Sequence, residues 1–307
     1  MKTNMLLTGA SGFVGSQFCG KQDIKRIVVR KGDSCKLWEC EQYRIESLSG
    51  VTNWSDAFDG IDVIIHLAAL AHSQTFTSED YQRVNVDGTL HLALKAAEAG
   101  VKRFVFVSSI GVHGTNTFYS PFRPDSPVAP NNDYTRSKLS AEMGLAEISL
   151  ETGLEVVIVR PTLVYGVDAP GNFGMLTKLI QRIPVLPFGL ATNRRDFISV
   201  QNLADLLVIC ATHPNAAGHT FLASDSETVS IKEFTNAIAK GLGKKVFQLP
   251  VPATLMRFAG KLVGKSDMIE QLYGNLEVDS SNIKEVLGWT PPYTMEQSMA
   301  FLKHTDK

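Results

Sequence analysis

Short apolar runs alternate with longer helical stretches through the first half of the chain. The runs predicted as strands are Met5–Thr8, Ile27–Arg30, Val63–Leu67, Phe104–Ser108 and Glu155–Arg160. The helical stretches between them include Tyr81–Ala99 and Asp133–Thr152. Because each strand is apolar on both faces, it needs helices above and below it. The alternation therefore predicts right-handed βαβ crossovers and a doubly wound parallel α/β sheet.

The pattern loosens after Pro161. The helices predicted there are Met175–Arg182, Asn202–Thr212, Ile231–Gly241 and Ala253–Val263, and the strands are Phe197–Val200 and Phe221–Ala223. No low-complexity linker separates the two halves. We therefore expect a sheet domain over 1–165 with returning segments near 196–224. A smaller lobe, 166–195 and 225–307, is expected to cap the carboxyl ends of the strands, where open α/β sheets bind ligands.

Composition excludes several classes of protein. The net charge is −1, so nothing favours nucleic acid or membrane surfaces as partners, although a small local basic pocket for an anion stays open. The four cysteines, Cys19, Cys35, Cys40 and Cys210, form no CxxC pair, so we expect no metal site. No apolar signal segment precedes the first strand. A reduced, cytoplasmic protein is the expectation.

A glycine triplet follows the first strand. Gly9, Gly12 and Gly15 lie three residues apart, where the chain is expected to turn sharply into a helix. Residues without a Cβ let a phosphate approach the backbone amides, and a helix N-terminus attracts negative charge. A dinucleotide pyrophosphate fits such a turn, although the GxxGxxG spacing alone is also compatible with a plain tight turn. The intervening residues expected beside the cofactor are Ser11, Phe13 and Val14.

Tyr134 and Lys138 form a YxxxK pair on the predicted helix Asp133–Thr152. The spacing places both side chains on one helix face. An ammonium near a phenol lowers the pKa of the phenol, which then exchanges protons with a substrate hydroxyl near neutral pH. The alternative is an exposed pair without a catalytic role.

Three polar positions are further candidates. Ser108 and Ser109 end a predicted strand, where a hydroxyl can reach a bound ligand or can simply terminate the strand. Asn85 lies inside a predicted helix, which indicates a kink or a specific hydrogen bond, with a solvent-facing side chain as the equal alternative.

Four histidines carry no ligand spacing. His66, which ends a predicted strand, is expected to be a hydrogen-bonded structural residue, and so are His72, His91 and His113. The small pair Ala68-Ala69 that follows Leu67 lets a cofactor pass close to the backbone.

These features occur in a fixed order along the chain. The Gly-rich turn is followed by His-Leu-Ala-Ala, Asn-Val-x-Gly-Thr, a strand ending Ser-Ser, and YxxxK. The chain also has Arg160-Pro161, Val164-Tyr165-Gly166, Arg195-Asp196-Phe197-Ile198 and Leu287-Gly288-Trp289. In this order the chain resembles the extended short-chain dehydrogenase/reductase family, in its nucleotide-sugar epimerase/dehydratase branch. The resemblance spans the whole chain and implies a Rossmann-type fold.

The resemblance implies a role for each matched residue. Tyr134 is the acid/base, Lys138 holds the nicotinamide ribose, and Ser109 is favoured over Ser108 as the catalytic hydroxyl. Asn172 and Arg195 resemble the family's contacts to the nucleotide diphosphate. The residues expected to line the cofactor are Gly9, Ser11, Gly12, Phe13, Val14, Gly15, Arg30, Leu67, Ala68, Ala69, Asn85, Ser108, Tyr134, Lys138 and Pro161.

Three positions depart from the family pattern. Arg30-Lys31 replaces the acid that NAD-preferring members carry, which favours NADP over NAD unless Arg30 only stacks on adenine. Ser47-Leu48 replaces an Asp-Ile or Asp-Leu pair that contacts adenine. Ile110-Gly111 replaces the Asp-Glu pair of sugar 4,6-dehydratases, so water elimination lacks its acid and base.

The resemblance implies hydride transfer at C4 of a UDP-hexose or UDP-N-acetylhexosamine, as in a UDP-glucose 4-epimerase. The enzymatic alternative is an NADPH-dependent reductase of a UDP-4-keto-6-deoxy-N-acetylhexosamine, which Arg30 favours. A non-enzymatic NAD(P)-sensing regulator is the alternative of another class. The family also implies a homodimer formed through the long central helices.

Overall fold

The computed structural model describes residues 3–21, 23–33, 38–71, 75–262 and 264–305. Cys35 and His72, discussed above, lie outside these residues. Within them the strands are β1 (Met5–Thr8), β2 (Ile24–Arg30), β3 (Glu41–Ile45), β4 (Val63–His66), β5 (Arg103–Val107), β6 (Glu155–Pro161), β7 (Leu163–Tyr165), β8 (Val185–Leu186), β9 (Phe197–Ser199), β10 (Thr220–Ala223) and β11 (Phe247–Gln248). Seven of them form one parallel sheet in the order β10-β6-β5-β4-β1-β2-β3. This confirms the doubly wound parallel α/β fold.

The helices of the described residues flank this sheet and build the C-terminal region. They are α1 (Ser78–Tyr81), α2 (Gly88–Glu98), α3 (Asp133–Thr152), α4 (Gly171–Arg182), α5 (Val200–Thr212), α6 (Ile231–Gly241), α7 (Ala253–Leu262), α8 (Ser266–Tyr273), α9 (Ser281–Leu287) and α10 (Met295–Ala300). A π-helical segment, Gln82–Asp87, joins α1 to α2. Short 3₁₀ turns cover Gly15–Phe18, Ile110–Val112, Pro214–Ala216 and Phe301–Thr305.

The sheet has a hydrophobic core on each face. On one face Leu7 and Val105 pack with Leu203 of α5. On the other face Leu6 and Phe104 pack with side chains of α2 and α3. Successive residues of a strand therefore enter opposite cores, which explains why the strand sequences are continuously apolar.

The C-terminal region has its own apolar cluster, in which the rings of Phe197 and Phe234 stack 3.8 Å apart. β7 pairs with β9, and β8 pairs with β11, each in parallel. The division into a sheet domain and a smaller lobe stays a prediction. The returning strand β10 joins the edge of the main sheet beside β6.

The expected helix after the glycine turn is absent from the described residues. Only the 3₁₀ turn Gly15–Phe18 follows Gly15, and Cys19 leaves the helical region with ψ at 128°. Gly20 then adopts a positive φ of 80°, and β2 begins at Ile24. The segment is too short for both a full helix and the return to the sheet.

Other elements escaped the sequence pattern. β3 is an edge strand whose sequence EQYRI is polar, so hydrophobic periodicity does not reveal it. The short helices α8, α9 and α10 lie where no helix was predicted. α7 ends at Leu262, and Val263, the end of its predicted span, lies outside the described residues.

Candidate active site

The glycine turn packs against the backbone that follows β4. Gly9 has a φ of +73°, and a Cβ there would lie 2.8 Å from the amide nitrogen of Ala68. A Cβ on Gly15 would overlap the carbonyl oxygen of Gly9, and one on Gly12 would lie 3.2 Å from the same oxygen. These positions keep open a narrow backbone cradle that fits a dinucleotide pyrophosphate. Because the following helix is one 3₁₀ turn, backbone amides rather than a long helix dipole must hold the anion.

Thr8 fixes the loop that faces the glycine turn, and sequence reasoning missed it. Its hydroxyl accepts hydrogen bonds from the amides of Leu67 (3.2 Å) and Ala68 (3.1 Å). The hydroxyl therefore donates its proton to Nδ1 of His66, 2.8 Å away. No pattern in one sequence distinguishes this threonine from an ordinary strand residue.

His66 is a structural histidine, as predicted. Nδ1 accepts from Thr8, so Nε2 carries the proton and donates to the hydroxyl of Thr89 at 3.0 Å. Burial, and then the charge of Lys138, lower the pKa of His66 to about 3. The imidazole is therefore neutral and serves the packing of β4.

Asn85 makes the specific hydrogen bonds that its position in a helix indicated. Its side chain accepts from the amide of Leu70 (2.8 Å) and donates to the carbonyl of Leu70 (3.1 Å) and to Oγ of Ser137 (2.9 Å). Ser137 in turn donates to the carbonyl of Tyr134 at 2.7 Å. The π-helical segment around Asn85 supplies the kink. Asn85 thus links the loop after β4 to the first turn of α3.

Lys138 is buried between α3 and the sheet. Its Nζ donates a 2.8 Å hydrogen bond to the carbonyl of Val107 and lies 4.6 Å from the centre of the Phe106 ring. Burial lowers the pKa of Lys138 to about 7, opposed by the carboxylate of Glu142 one turn later. The lysine therefore sits at the carboxyl end of β5, where a bound ligand lies in this fold.

Tyr134 lies one turn before Lys138 and differs from the expectation in its pKa. Desolvation, and then the neighbouring Tyr81, raise the pKa of Tyr134 to about 12. The two rings lie 6.4 Å apart. The predicted lowering of this pKa by Lys138 is therefore wrong for the protein alone, because desolvation of the phenolate outweighs any attraction to the lysine.

The two serines after β5 differ in their surroundings. Oγ of Ser109 accepts a 3.0 Å hydrogen bond from the amide of Gly111 and caps the short turn Ile110–Val112. Oγ of Ser108 is buried and has no hydrogen-bond partner among the described residues. A Cβ on Gly111 would lie 2.7 Å from Cγ2 of Thr135, so the serine turn packs directly against Thr135, the residue after Tyr134. An orphaned buried hydroxyl at this point fits a site completed by a ligand.

A buried ion pair holds α3 against β6 of the sheet. Arg160 of β6 donates to both carboxylate oxygens of Glu142, at 3.0 and 2.5 Å. It also donates to Nε2 of His113 at 2.8 Å, which gives that histidine a structural role. His91 likewise bonds the carbonyl of Thr52 at 2.9 Å.

The two expected diphosphate contacts lie in different environments. Arg195 is buried and donates to the neutral carbonyl of Gly274 at 3.0 Å, and burial lowers its pKa to about 10. No salt bridge to it occurs among the described residues, so its positive charge is uncompensated. Asn172 lies in the exposed first turn of α4 and donates to Gln271 of α8 at 2.9 Å.

The remaining predicted cofactor residues lie in different environments. Ser11 is exposed, whereas Phe13 packs against the C-terminal cluster and Val14 against one sheet core. Pro161 ends β6 opposite Ala223. Arg30 is exposed at the end of β2 and pairs with Asp33, at 3.2 Å. Its neighbour Lys31 pairs with Glu46.

Comparison with known proteins agrees with this geometry. UDP-glucose 4-epimerase of Vibrio cholerae is 38% identical over 327 aligned residues, which cover 100% of this chain and 98% of that protein. The structure of UDP-glucuronic acid 4-epimerase from Bacillus cereus in complex with NAD has a TM-score of 0.76 at 21% identity and covers 99% of this chain and 100% of its own.

A second solved structure gives the same picture of the fold. UDP-glucose 4-epimerase from Thermotoga maritima with UDP-glucose has a TM-score of 0.74 at 21% identity, with 98% of this chain and 97% of the other covered. Residues 5–223 match the family described as NAD dependent epimerase/dehydratase. The chain therefore belongs to the NAD-dependent epimerase/dehydratase family.

Proposed function

We propose that this protein interconverts the C4 epimers of a UDP-hexose or UDP-N-acetylhexosamine with NAD as its cofactor. The observation that carries the proposal is Lys138, which hydrogen-bonds the carboxyl end of β5 one turn after Tyr134 and beside the serine turn. The likeness to the Vibrio cholerae UDP-glucose 4-epimerase over the full chain supports the same reaction.

The residues present fit NAD. A Cβ on Gly9, Gly12 or Gly15 would press against the backbone of the turn itself or of Ala68, so these glycines permit the tight turn whose amides would hold the pyrophosphate. Ser108 offers a buried hydroxyl that lacks a partner among the described residues. When bound, NAD would supply the hydride chemistry at C4 of the sugar, as acceptor in oxidation and as donor in reduction of the 4-keto sugar. Lys138 would hold the nicotinamide ribose by hydrogen bonding from Nζ.

Tyr134 would act as the acid/base. As the phenolate it would take the proton of the C4 hydroxyl in oxidation, and as the phenol it would return that proton in reduction. The pKa of about 12 in the protein alone must therefore fall when the cofactor binds, and the positive charge of oxidised NAD would lower it. Ser109 would hydrogen-bond the same substrate oxygen and keep it aligned. The 4-keto sugar must turn within the pocket before reduction, so only the diphosphate end of the substrate can be held firmly.

Arg195 is suited to hold that end. Its buried, uncompensated guanidinium would pair with the diphosphate of the substrate, and a guanidinium fork matches phosphate oxygens well. Asn172 would contribute a second contact if its side chain turns from Gln271 to the ligand.

The choice between NAD and NADP depends on the end of β2. Arg30 favours a 2′-phosphate, but Arg30 and Lys31 are already paired with Asp33 and Glu46. These carboxylates would repel an additional phosphate, and we therefore propose NAD. The preference for NADP that Arg30 suggests stays a prediction. Competitive binding of NAD and NADP to the purified protein decides between the two cofactors.

We also propose a homodimer formed through α2 and α3. The two helices pack closely, since a Cβ on Gly144 would lie 2.6 Å from Cδ1 of Leu90. Their outer faces expose Leu94, Met143 and Leu150. Light scattering of the purified protein and of a Met143→Glu variant tests this, because an interface there predicts a dimer that the charge weakens.

The function is tested by a substrate screen. The purified chain is incubated with UDP-glucose, UDP-galactose and their N-acetylated analogues, and the nucleotide released by denaturation is identified. Epimerisation with retained NAD supports the proposal. An empty protein that consumes NADPH with a UDP-4-keto sugar identifies the reductase instead, and binding without turnover of any sugar identifies a regulator.

A further inference from the structure

Helix α7 presents its apolar side chains to water. Leu255, Phe258 and Leu262 lie three and four residues apart and therefore share one side of the helix. Phe258 is 60% exposed and Leu262 is 72% exposed. The opposite side packs inward, since Gly260 is buried where a Cβ would lie 2.6 Å from Cγ1 of Ile269. This arrangement reverses the usual amphipathic pattern of a surface helix.

The strand pair next to α7 continues the apolar surface. Val185 of β8 lies opposite Phe247 of β11 in the parallel register, and both side chains are exposed. Ile183, two residues before Val185, and Leu249, two residues after Phe247, are exposed as well. Leu249 leads through Pro252 directly into α7. The apolar patch is defined as Ile183, Val185, Phe247, Leu249, Leu255, Phe258 and Leu262.

The segments that carry the apolar patch contain only positive charges. Residues 171–190 and 241–266 hold no Asp or Glu, and their basic residues are Lys178, Arg182, Lys244, Lys245, Arg257, Lys261 and Lys265. The acidic residues that flank these segments along the chain are Asp168, Asp196, Glu233 and Asp267. Glu270 of α8 is paired with Arg257. The net charge of −1 for the whole chain therefore conceals a strongly basic region around an apolar surface.

We propose that the apolar patch docks the protein on an anionic phospholipid surface. Exposed Leu and Phe enter the boundary between headgroups and acyl chains, while the surrounding Lys and Arg pair with lipid phosphates. Among the described residues no helix is long and apolar enough to cross a membrane. A second copy of the chain is a poorer occupant, because two such basic faces would repel each other.

Vesicle co-sedimentation of the full chain tests the proposal. Vesicles of phosphatidylcholine alone are compared with vesicles that contain phosphatidylglycerol, at low and high NaCl. The apolar variant combines Phe258→Ser with Leu262→Ser, and the charge variant combines Lys261→Glu with Lys265→Glu. Val51→Ser, at an exposed valine outside both the apolar patch and the proposed dimer interface, and Lys303→Glu are the controls.

We expect binding to anionic vesicles that weakens at high salt. In the charge variant, the loss of each of the two lysines should weaken partition onto anionic vesicles about fivefold. The apolar variant should weaken partition about tenfold or more, and both controls should bind as the natural chain does. Equal binding to neutral and anionic vesicles, absence of binding, or equal losses in the controls would overturn the proposal. So would an oligomer that the apolar variant dissociates without any vesicle binding. The result is independent of the proposed activity, because sedimentation needs no substrate.

Discussion

The Nζ atom of Lys138 donates a 2.8 Å hydrogen bond to the carbonyl oxygen of Val107, which fastens α3 to the carboxyl end of β5. That contact sets the position of Tyr134, one turn earlier on the same helix face, relative to the serines that follow β5. It also keeps an amine in an environment that disfavours its charge, since burial lowers the pKa of Lys138 to about 7.

The buried Lys138 predicts a specific dependence of stability on pH. Its folded pKa lies below its ordinary value of 10.5, so between pH 7 and 10.5 the unfolded state binds more protons. The free energy of unfolding should therefore rise with pH in this window, by up to about 1.4 kcal/mol per pH unit from this group. Urea unfolding at pH 7 and pH 9 measures the rise.

Lys138→Met should remove this contribution, whereas Lys102→Met, at an exposed lysine, should keep it. Parallel pH dependences of the natural chain and the Lys138→Met variant would show that Lys138 is not held in the neutral form.

Tyr134→Phe should abolish turnover without unfolding the protein. The change removes only the phenol oxygen, so the packing of the ring against Tyr81 is retained. Loss of the acid/base group should reduce kcat about 10²–10⁴-fold, while affinity for NAD stays within about twofold. Tyr119→Phe, at a fully exposed tyrosine, is the control. Unchanged kcat in Tyr134→Phe would exclude the proposed mechanism.

Gly15→Ala should weaken binding of NAD, because the added Cβ overlaps the carbonyl oxygen of Gly9 and must displace the turn. Gly50→Ala is the matched control, since its Cβ would meet Cβ of Asp87 at an ordinary 3.4 Å. Titration with NAD and thermal unfolding of both variants are compared. Equal affinity for NAD in the Gly15→Ala variant and the natural chain would show that the glycine turn does not hold the cofactor.

Arg195→Met should weaken binding of UDP far more than binding of uridine. Loss of a buried charge-assisted contact to phosphate should cost about 1.5–3 kcal/mol, or about 10- to 150-fold in Kd for UDP. Without ligand the variant should be no less stable, because an uncompensated buried cation is removed. Calorimetric titration measures both ligands.

Arg194→Met is the control for that comparison, since the exposed guanidinium of Arg194 already pairs with Glu277. Equal losses of affinity for UDP and uridine in the Arg195→Met variant would assign Arg195 to the fold rather than to the diphosphate.

Local sequence signals predicted the sheet and most of the site candidates. Continuous apolar strands and the glycine triplet are local patterns, so a single sequence is enough to reveal them. Hydrophobic periodicity does not reveal β3, because an edge strand needs little apolar surface. It also predicts too long a first helix, because the residues that lead the chain back to β2 carry no local signal that ends the helix.

Properties that depend on distant residues were not predictable in the same way. The hydroxyl of Thr8 gains its role only when β1 and β4 pair, 58 residues apart along the chain. The raised pKa of Tyr134 depends on burial and on Tyr81, which no local spacing reports. The basic region around the apolar patch is hidden by the balance of charge over the whole chain.

The most direct test of the central claim is epimerisation of a UDP-hexose in D₂O, followed by NMR. If Tyr134 moves only the hydroxyl proton, and the hydride that leaves C4 returns to C4 from the same retained cofactor, the sugar should change configuration at C4 with its C4 hydrogen retained and no net consumption of NAD. Deuterium at C4 of the product, or no change in configuration with any UDP-hexose tested, would contradict the account.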